Sequence, residues 1–222
     1  LREDLARFEK NLCDYTGAKY AAGVNSGTDA LGLSHEALGI GRGDEVICVS
    51  HTFLAPFQET EHKGAVPILI DVKEKDCLMD VSQIEPAITE KTKAILPVHL
   101  SGAVCDMKEI MRIAQKCNLK VIEDACQALG SVQNGKMAGT FGDTGTYSFI
   151  SPKLLGAYGD AGAVVTDNKE IYEKLLLLRN HWNITQNALL GVQLPHPEIM
   201  SWGHNTRMDN IQAAVLNVKI KY

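Results

Sequence analysis

Short apolar runs, each followed by a stretch with apolar residues at helical spacing, alternate along the chain, and this alternation limits the fold more than any other feature. Runs at 20–24, 45–50, 66–71, 94–98 and 119–123 read as strands, being rich in Val, Ile, Leu and Ala and too short for buried helices. Helical stretches are expected between them at about 27–38, 54–62 and 80–88, and over a segment with Met107, Ile110, Ala114 and Cys117 on one face. Two further runs, 146–150 and 162–166, flank a glycine-rich turn. Strands that alternate with helices make a parallel sheet that needs cover on both sides. The expected fold is therefore α/β, a mainly parallel seven-stranded sheet with helices on both faces.

Composition narrows the class of partner. A chain of 222 residues, 45% apolar and 22% charged, can bury a large core and is sized for one large domain or a little more. A net charge of -5 without any basic block argues against nucleic acid and anionic membrane surfaces, leaving small molecules and protein as partners. Cys13, Cys48, Cys77, Cys105, Cys117 and Cys126 form no CxxC pair, which fits reduced thiols in the cytoplasm and no metal site. No apolar run approaches the roughly 18 residues of a membrane span, and no signal-peptide pattern opens the chain. Leu1, Leu5, Phe8 and Leu12 at the start, and Ile211, Val215, Val218 and Tyr222 at the end, keep helical spacing up to the termini, so both ends read as cut. The expected division is an N-terminal helix over 1–18, a large domain over 19–207, and over 208–222 the start of a helix leading to a C-terminal domain that is not present. The stretch 183–205, with Pro195 and Pro197, reads as a long loop with a functional role.

In such sheets ligands gather at the carboxyl ends of the strands, and four sets of polar residues fall there. Ser26, Gly27 and Thr28 stand where a strand turns into a helix, a place for a phosphate or for an ordinary helix cap. Phe53, after the second strand, offers a flat face for a ring or a side chain for the core. Asp124, followed by Gln127, is a carboxylate at the end of a buried strand, where an unpaired charge is costly and a cation is wanted. No basic residue follows Asp124 before Lys136, so a bound cation such as a protonated pyridine nitrogen would serve. Ser148 and Lys153 bracket the end of the run at 146–150. Lys153, between Pro152 and two leucines, has partly apolar neighbours, where an amine loses its charge more readily and acts as a nucleophile; a snorkelling surface lysine is the alternative. Taken together, the four sets describe a flat aromatic aldehyde with a phosphate arm and a basic ring nitrogen, the chemistry of pyridoxal 5'-phosphate.

The segments SGTDAL, HTF, VHLSG, IEDACQALG, GTFGD, SFISPKLLGAYGDAGAVVT and GHNTRMDNIQAAVL occur in an order that resembles the DegT/DnrJ/StrS-type sugar aminotransferases, a family of the aspartate aminotransferase-like fold, from about residue 5 to the end. The resemblance implies that Lys153 attaches pyridoxal 5'-phosphate and then shuttles a proton, and that Asp124 pairs with the pyridine nitrogen. It also implies that Gln127 lies near the ring hydroxyl and that Phe53 stacks on the ring. Thr28, the backbone around Gly27 and Asp29, and Ser148 would form the phosphate cup. Asn205 would reach the phosphate region of a neighbouring subunit, which implies a homodimer with shared active sites.

The implied activity is transfer of an amino group from glutamate to a nucleotide-linked 3-keto or 4-keto deoxysugar, for cell-surface polysaccharide, lipopolysaccharide or secondary-metabolite synthesis. Pro152 and Leu154 depart from the residues usual beside the lysine and bear on the substrate side of the site. A sugar dehydratase, a regulatory protein that binds the cofactor, and an inactive fragment are the competing readings; a dehydratase of this family would carry histidine in place of Lys153. A Rossmann-type oxidoreductase is set aside, because no GxGxxG follows an early strand.

Overall fold

In the computed structural model, which describes residues 3–182 and 202–222, the apolar runs form strands β1 (Tyr20–Val24), β2 (Glu45–Val49), β3 (Val66–Ile70), β4 (Thr92–Leu96) and β5 (Lys120–Asp124). A two-residue hairpin, β6 (Val132–Gln133) and β7 (Lys136–Met137), precedes β8 (Thr144–Ser148) and β9 (Gly162–Thr166). The helices are α1 (Glu3–Thr16), α2 (Gly27–Ala37), α3 (Ala55–His62), α4 (Ile84–Ala87), α5 (Met107–Cys117), α6 (Lys169–Leu178) and α7 (Asn210–Lys219). Much of the expected loop at 183–205 lies outside the described residues.

Seven strands make one sheet in the order β1-β9-β8-β5-β4-β2-β3. The pairs β2 with β3, β2 with β4, β4 with β5 and β5 with β8 are parallel. Strand β9 is antiparallel to both of its neighbours, β1 and β8. The mainly parallel expectation holds, with one reversed strand. Between β8 and β9 the chain doubles back without a crossover helix, Phe149 N–H donating to Ala161 O at 2.7 Å.

Side chains alternate across the sheet, so each strand feeds two layers. Ala21, Tyr147, Ala163 and Val165 pack with Leu5, Phe8 and Leu12 of α1 and Ala213 and Leu216 of α7. On the opposite face Ala22, Val24 and Val164 pack with Ala30 and Leu33 of α2 and Leu175 and Leu176 of α6. The half of the sheet built from β2, β4 and β5 has a core of Ile47, Ile95, Leu96, Val121 and Ile122 under Met107 and Ile110 of α5. Two of the termini expected at helical spacing thus lie together: Asn11 Nδ2 of α1 donates to Asn217 Oδ1 of α7 at 2.8 Å.

The expected strand at 146–150 is displaced by two residues, to Thr144–Ser148. Phe149 is fully buried but off the ladder, edge-on to Phe8 with ring centroids 5.3 Å apart, so its apolar character serves the helix layer instead. The stretch expected as one helix at 80–88 is a single turn of 3-10 helix, Val81–Gln83, followed by α4.

The end of β5 shows the alternation at its sharpest. Glu123 points to the α1 side, fully buried, and its carboxylate accepts from His99 Nε2 at 2.9 Å, Gly139 N–H at 2.8 Å and Gly142 N–H at 2.6 Å. Cys105 N–H donates to the other ring nitrogen of His99 at 3.2 Å. His99 is thereby a hydrogen-bonded structural residue. Replacing Glu123 with Ala strands three buried donors and should destabilise the protein by about 3–5 kcal/mol, read as a lower urea midpoint; a loss below about 1 kcal/mol would show that this carboxylate does not pin the strand.

Candidate active site

Asp124, one residue further along β5, faces the other way, into a cavity of about 430 Å³ at the carboxyl ends of β1, β5 and β8. Its Oδ1 accepts the Cys126 N–H at 3.0 Å, and among the described residues no Lys, Arg or His forms an ion pair with it. Burial pushes its carboxyl up from the usual range, an effect partly offset by the Cys126 N–H and thiol and by the nearby His99 and Lys153. A carboxylate so placed favours a ligand that brings its own positive charge.

The opposite end of the cavity is the start of α2. Ser26 caps the helix: its Oγ accepts the Asp29 N–H at 3.0 Å and donates to Asp29 Oδ2 at 2.7 Å. Among the described residues the amides of Gly27 and Thr28 have no protein acceptors, at the positive end of the helix dipole. A Cβ on Gly27 would lie 2.8 Å from Ser148 Cβ and 2.9 Å from Cys126 Sγ, so only glycine keeps this cradle open. The chemistry suits an anion held by amides and the Thr28 and Ser148 hydroxyls.

Lys153 stands between these ends, on the turn joining β8 to β9. The turn is closed by Lys153 N–H to Ile150 O at 2.9 Å and Ala157 N–H to Phe149 O at 2.7 Å. Leu155 is buried while Leu154 is exposed, so the turn is pinned by one leucine and Lys153 remains half-buried on the cavity wall. A second, smaller cavity of about 230 Å³ lies alongside, lined by Pro152 and Leu154 and sharing Cys126, Gln127, Ser148 and Lys153 with the first.

Of the residues singled out in the sequence, Gly27, Thr28, Phe53, Asp124, Gln127, Ser148 and Lys153 line the main cavity. Phe53 is at its rim, 68% exposed. Asp29 is outside, and its N–H is already spent on Ser26. Asn205 is also outside this cavity; it is exposed and bridged to Asn180. Ser26, in the first of the four sets, and Thr52, beside Phe53, line it as well, while Cys126, Ile150, Asp160 and Ala161 line it without having been chosen as site residues. Ala161 could have been found from the hairpin register, since Ser148 pairs with Gly162. The Cys126 thiol is half-buried, and desolvation together with the Asp124 carboxylate raises it well above the usual thiol range, so it is a protonated filler and not a nucleophile.

A cavity with an amine, an unpaired carboxylate and an anion cradle, at the strand ends of an α/β sheet, defines an enzyme-like ligand site. The chain belongs to the DegT/DnrJ/EryC1/StrS aminotransferase family, whose model matches residues 3–222. It is 43% identical over 216 residues to the UDP-N-acetyl-3-dehydro-alpha-D-glucosamine 3-aminotransferase of Acidithiobacillus ferrooxidans, covering 96% of this chain and 55% of that protein. It is 40% identical over 222 residues to a pleiotropic regulatory protein of Geobacillus stearothermophilus, covering 100% of this chain and 57% of that one. The crystal structure of NtdA from Bacillus subtilis with bound cofactor PMP superposes with a TM-score of 0.88 at 40% identity, over 99% of this chain and 48% of that one. The chain thus spans about half the length of the relatives it matches.

The raised Asp124 carboxyl sets a sign for stability. A folded-state value above the unfolded one of about 3.9 means that the protonated form is favoured in the fold, so the ionised group costs stability at neutral pH. Asp124→Asn should therefore raise the unfolding temperature of the cofactor-free protein at pH 7, with the gain shrinking in acid where the wild-type carboxyl is protonated. A variant less stable than wild type at pH 7 would mean that the nearby His99 and Lys153 outweigh the burial of Asp124.

Proposed function

We propose that the full-length protein is a pyridoxal 5'-phosphate-dependent aminotransferase that moves an amino group from glutamate to a nucleotide-linked keto-deoxysugar. The observation that carries this reading is that Lys153, the unpaired carboxylate of Asp124 and the bare amides of α2 face one cavity. Its size and chemistry fit the cofactor at both ends: the carboxylate answers a protonated ring nitrogen, and the Gly27 cradle answers a phosphate. When bound, pyridoxal 5'-phosphate supplies an aldehyde that takes up and releases the amino group and a ring that accepts electrons.

Each side chain then has a task. The Lys153 amine would hold the cofactor through its aldehyde and would serve as the base and acid that takes and returns the proton of the substrate carbon. Asp124 keeps the ring nitrogen protonated, at the expense in stability described above. Thr28 and Ser148 donate hydroxyls to the phosphate, with the Gly27 and Thr28 amides beneath it. Phe53 at the rim covers one face of the ring and excludes water. Gln127 approaches the ring oxygen. The Asp29 amide has no part in the cup, because it is engaged by Ser26. Asn205, exposed and turned away from its own cavity, would serve the site of a second copy in a homodimer.

The sugar position aminated, 3-keto or 4-keto, and a place in cell-surface or lipopolysaccharide synthesis belong to the same proposal. The name of the 43% identical relative supports the 3-keto position alone. To the same proposal belong the large domain at 19–207, the helix over 208–222 as a lead into a further domain, and a cytoplasmic location, the last in keeping with six unpaired cysteines. Among the described residues no helix is long and apolar enough to cross a membrane.

The test is the absorption spectrum of the full-length protein with pyridoxal phosphate, before and after borohydride, together with glutamate-dependent turnover of a keto sugar. Lys153→Ala should lose the borohydride-sensitive band and lower turnover by at least about 10²–10⁴-fold. A Lys153→Ala protein with wild-type turnover would overturn the assignment, and a wild type that binds the cofactor yet aminates no keto sugar would favour the regulatory reading.

A further inference from the structure

Gln127 lines both cavities, and its carboxamide is not free to choose its orientation. Ser101 N–H donates to Gln127 Oε1 at 2.9 Å. A backbone N–H can only donate, so the atom it meets must be the carbonyl oxygen and the NH2 must point elsewhere. Among the described residues Gln127 Nε2 has no protein acceptor. The half-buried amide therefore presents two donors that the protein leaves unused.

Ser101 reaches this position in an unusual way. Its backbone is left-handed, φ 52° and ψ 26°, and Gly102 follows at φ 84°. A non-glycine residue in that region costs about 1–3 kcal/mol and persists only where its surroundings hold it. The surroundings do so here. Ser131 Oγ donates to Gly102 O at 2.7 Å, Ala103 N–H closes on Leu100 O at 2.9 Å, and His99 just before is buried against Glu123. A relaxed backbone at residue 101 would aim its N–H away from Gln127.

We propose that the Ser101 backbone is a positioning element that fixes the Gln127 carboxamide so that its NH2 donates to the ring oxygen of the bound cofactor and holds that oxygen in its ionised form. The inference rests on the reading of the site given under Proposed function. A donor pointed at the oxygen stabilises the anion, and a reversed amide would present an acceptor and repel it. Ser101 touches the reaction only through Gln127.

The experiment uses the full-length protein loaded with pyridoxal phosphate and reads three quantities: the ratio of the longer-wavelength band, given by the ionised ring oxygen, to the shorter-wavelength band of its protonated form; cofactor affinity; and melting of the cofactor-free protein. Gln127→Glu still accepts from Ser101 but has no donor; it should shift the ratio toward the shorter-wavelength band and weaken affinity about ten-fold, the worth of one hydrogen bond, with melting unchanged. Ser101→Val, whose branched side chain resists the left-handed region, should reproduce that shift with Gln127 intact, and Ser101→Gly, which keeps both the conformation and the N–H, should restore the wild-type ratio. The double variant Ser101→Val with Gln127→Glu should shift no further than either single one. A Gln127→Glu protein with the wild-type ratio, or a folded Ser101→Val protein that matches wild type, overturns the inference alone. A wild type that takes up no cofactor overturns the proposed function and the inference with it.

Discussion

The two-residue period of β5 sets two carboxylates back to back, and most of the site depends on how differently they are treated. Glu123 is turned into the protein, where a histidine and two backbone amides satisfy it. Those same bonds tie down the end of β4 and the 139–142 turn, the two segments that flank β5. Asp124, facing the cavity, receives one amide and, among the described residues, no ion-pair partner. A strand end anchored by the first carboxylate can hold the second in a position that the second would not choose, because the energy gained behind the sheet offsets the desolvation suffered in front of it.

The cavity is otherwise short of positive charge. Asp124 and Asp160 line it and Lys153 is its single cationic side chain among the described residues. An anionic group at the far end must therefore be held by dipoles. The start of α2 is built for this: Ser26 occupies the third amide of the helix and leaves the first two bare, and Gly27 removes the one side chain that would cover them. Capping and ligand binding thus divide the helix terminus between them, which is why Asp29, adjacent in sequence to two cup residues, is excluded from the cup.

How much of this the sequence discloses depends on the kind of signal each feature leaves. The strands were legible because burial on both faces demands unbroken apolar runs, and Tyr20–Val24 and Gly162–Thr166 fall where the pattern puts them. The end of β8 was misread because Phe149 is apolar for a reason other than strand pairing. The reversed direction of β9 leaves no mark in hydrophobicity, since a strand of either direction is equally apolar. Lys153, Asp124 and Ser148 were legible as polar residues at strand ends, where the fold gathers ligands. Ser101 was not. Its role rests on a backbone conformation that serine seldom adopts, and nothing in the string VHLSG distinguishes a left-handed serine from an ordinary one.

A left-handed serine, a desolvated aspartate, and two helix amides and an amide NH2 that find no acceptor among the described residues stand at the two adjoining cavities. The aspartate, the amides and the NH2 would each be satisfied by a ligand with a cationic ring atom, a phosphate and an ionised ring oxygen, whereas the strain of the serine stays in the backbone. The costs are borne by β5, α2 and the 99–103 turn, of which the first and last are locked together by His99 on Glu123 and by His99 N–H to Asp124 O at 2.9 Å. A site built this way does not need the ligand in order to form, so the ligand's binding energy goes into satisfying groups already in position instead of ordering the chain.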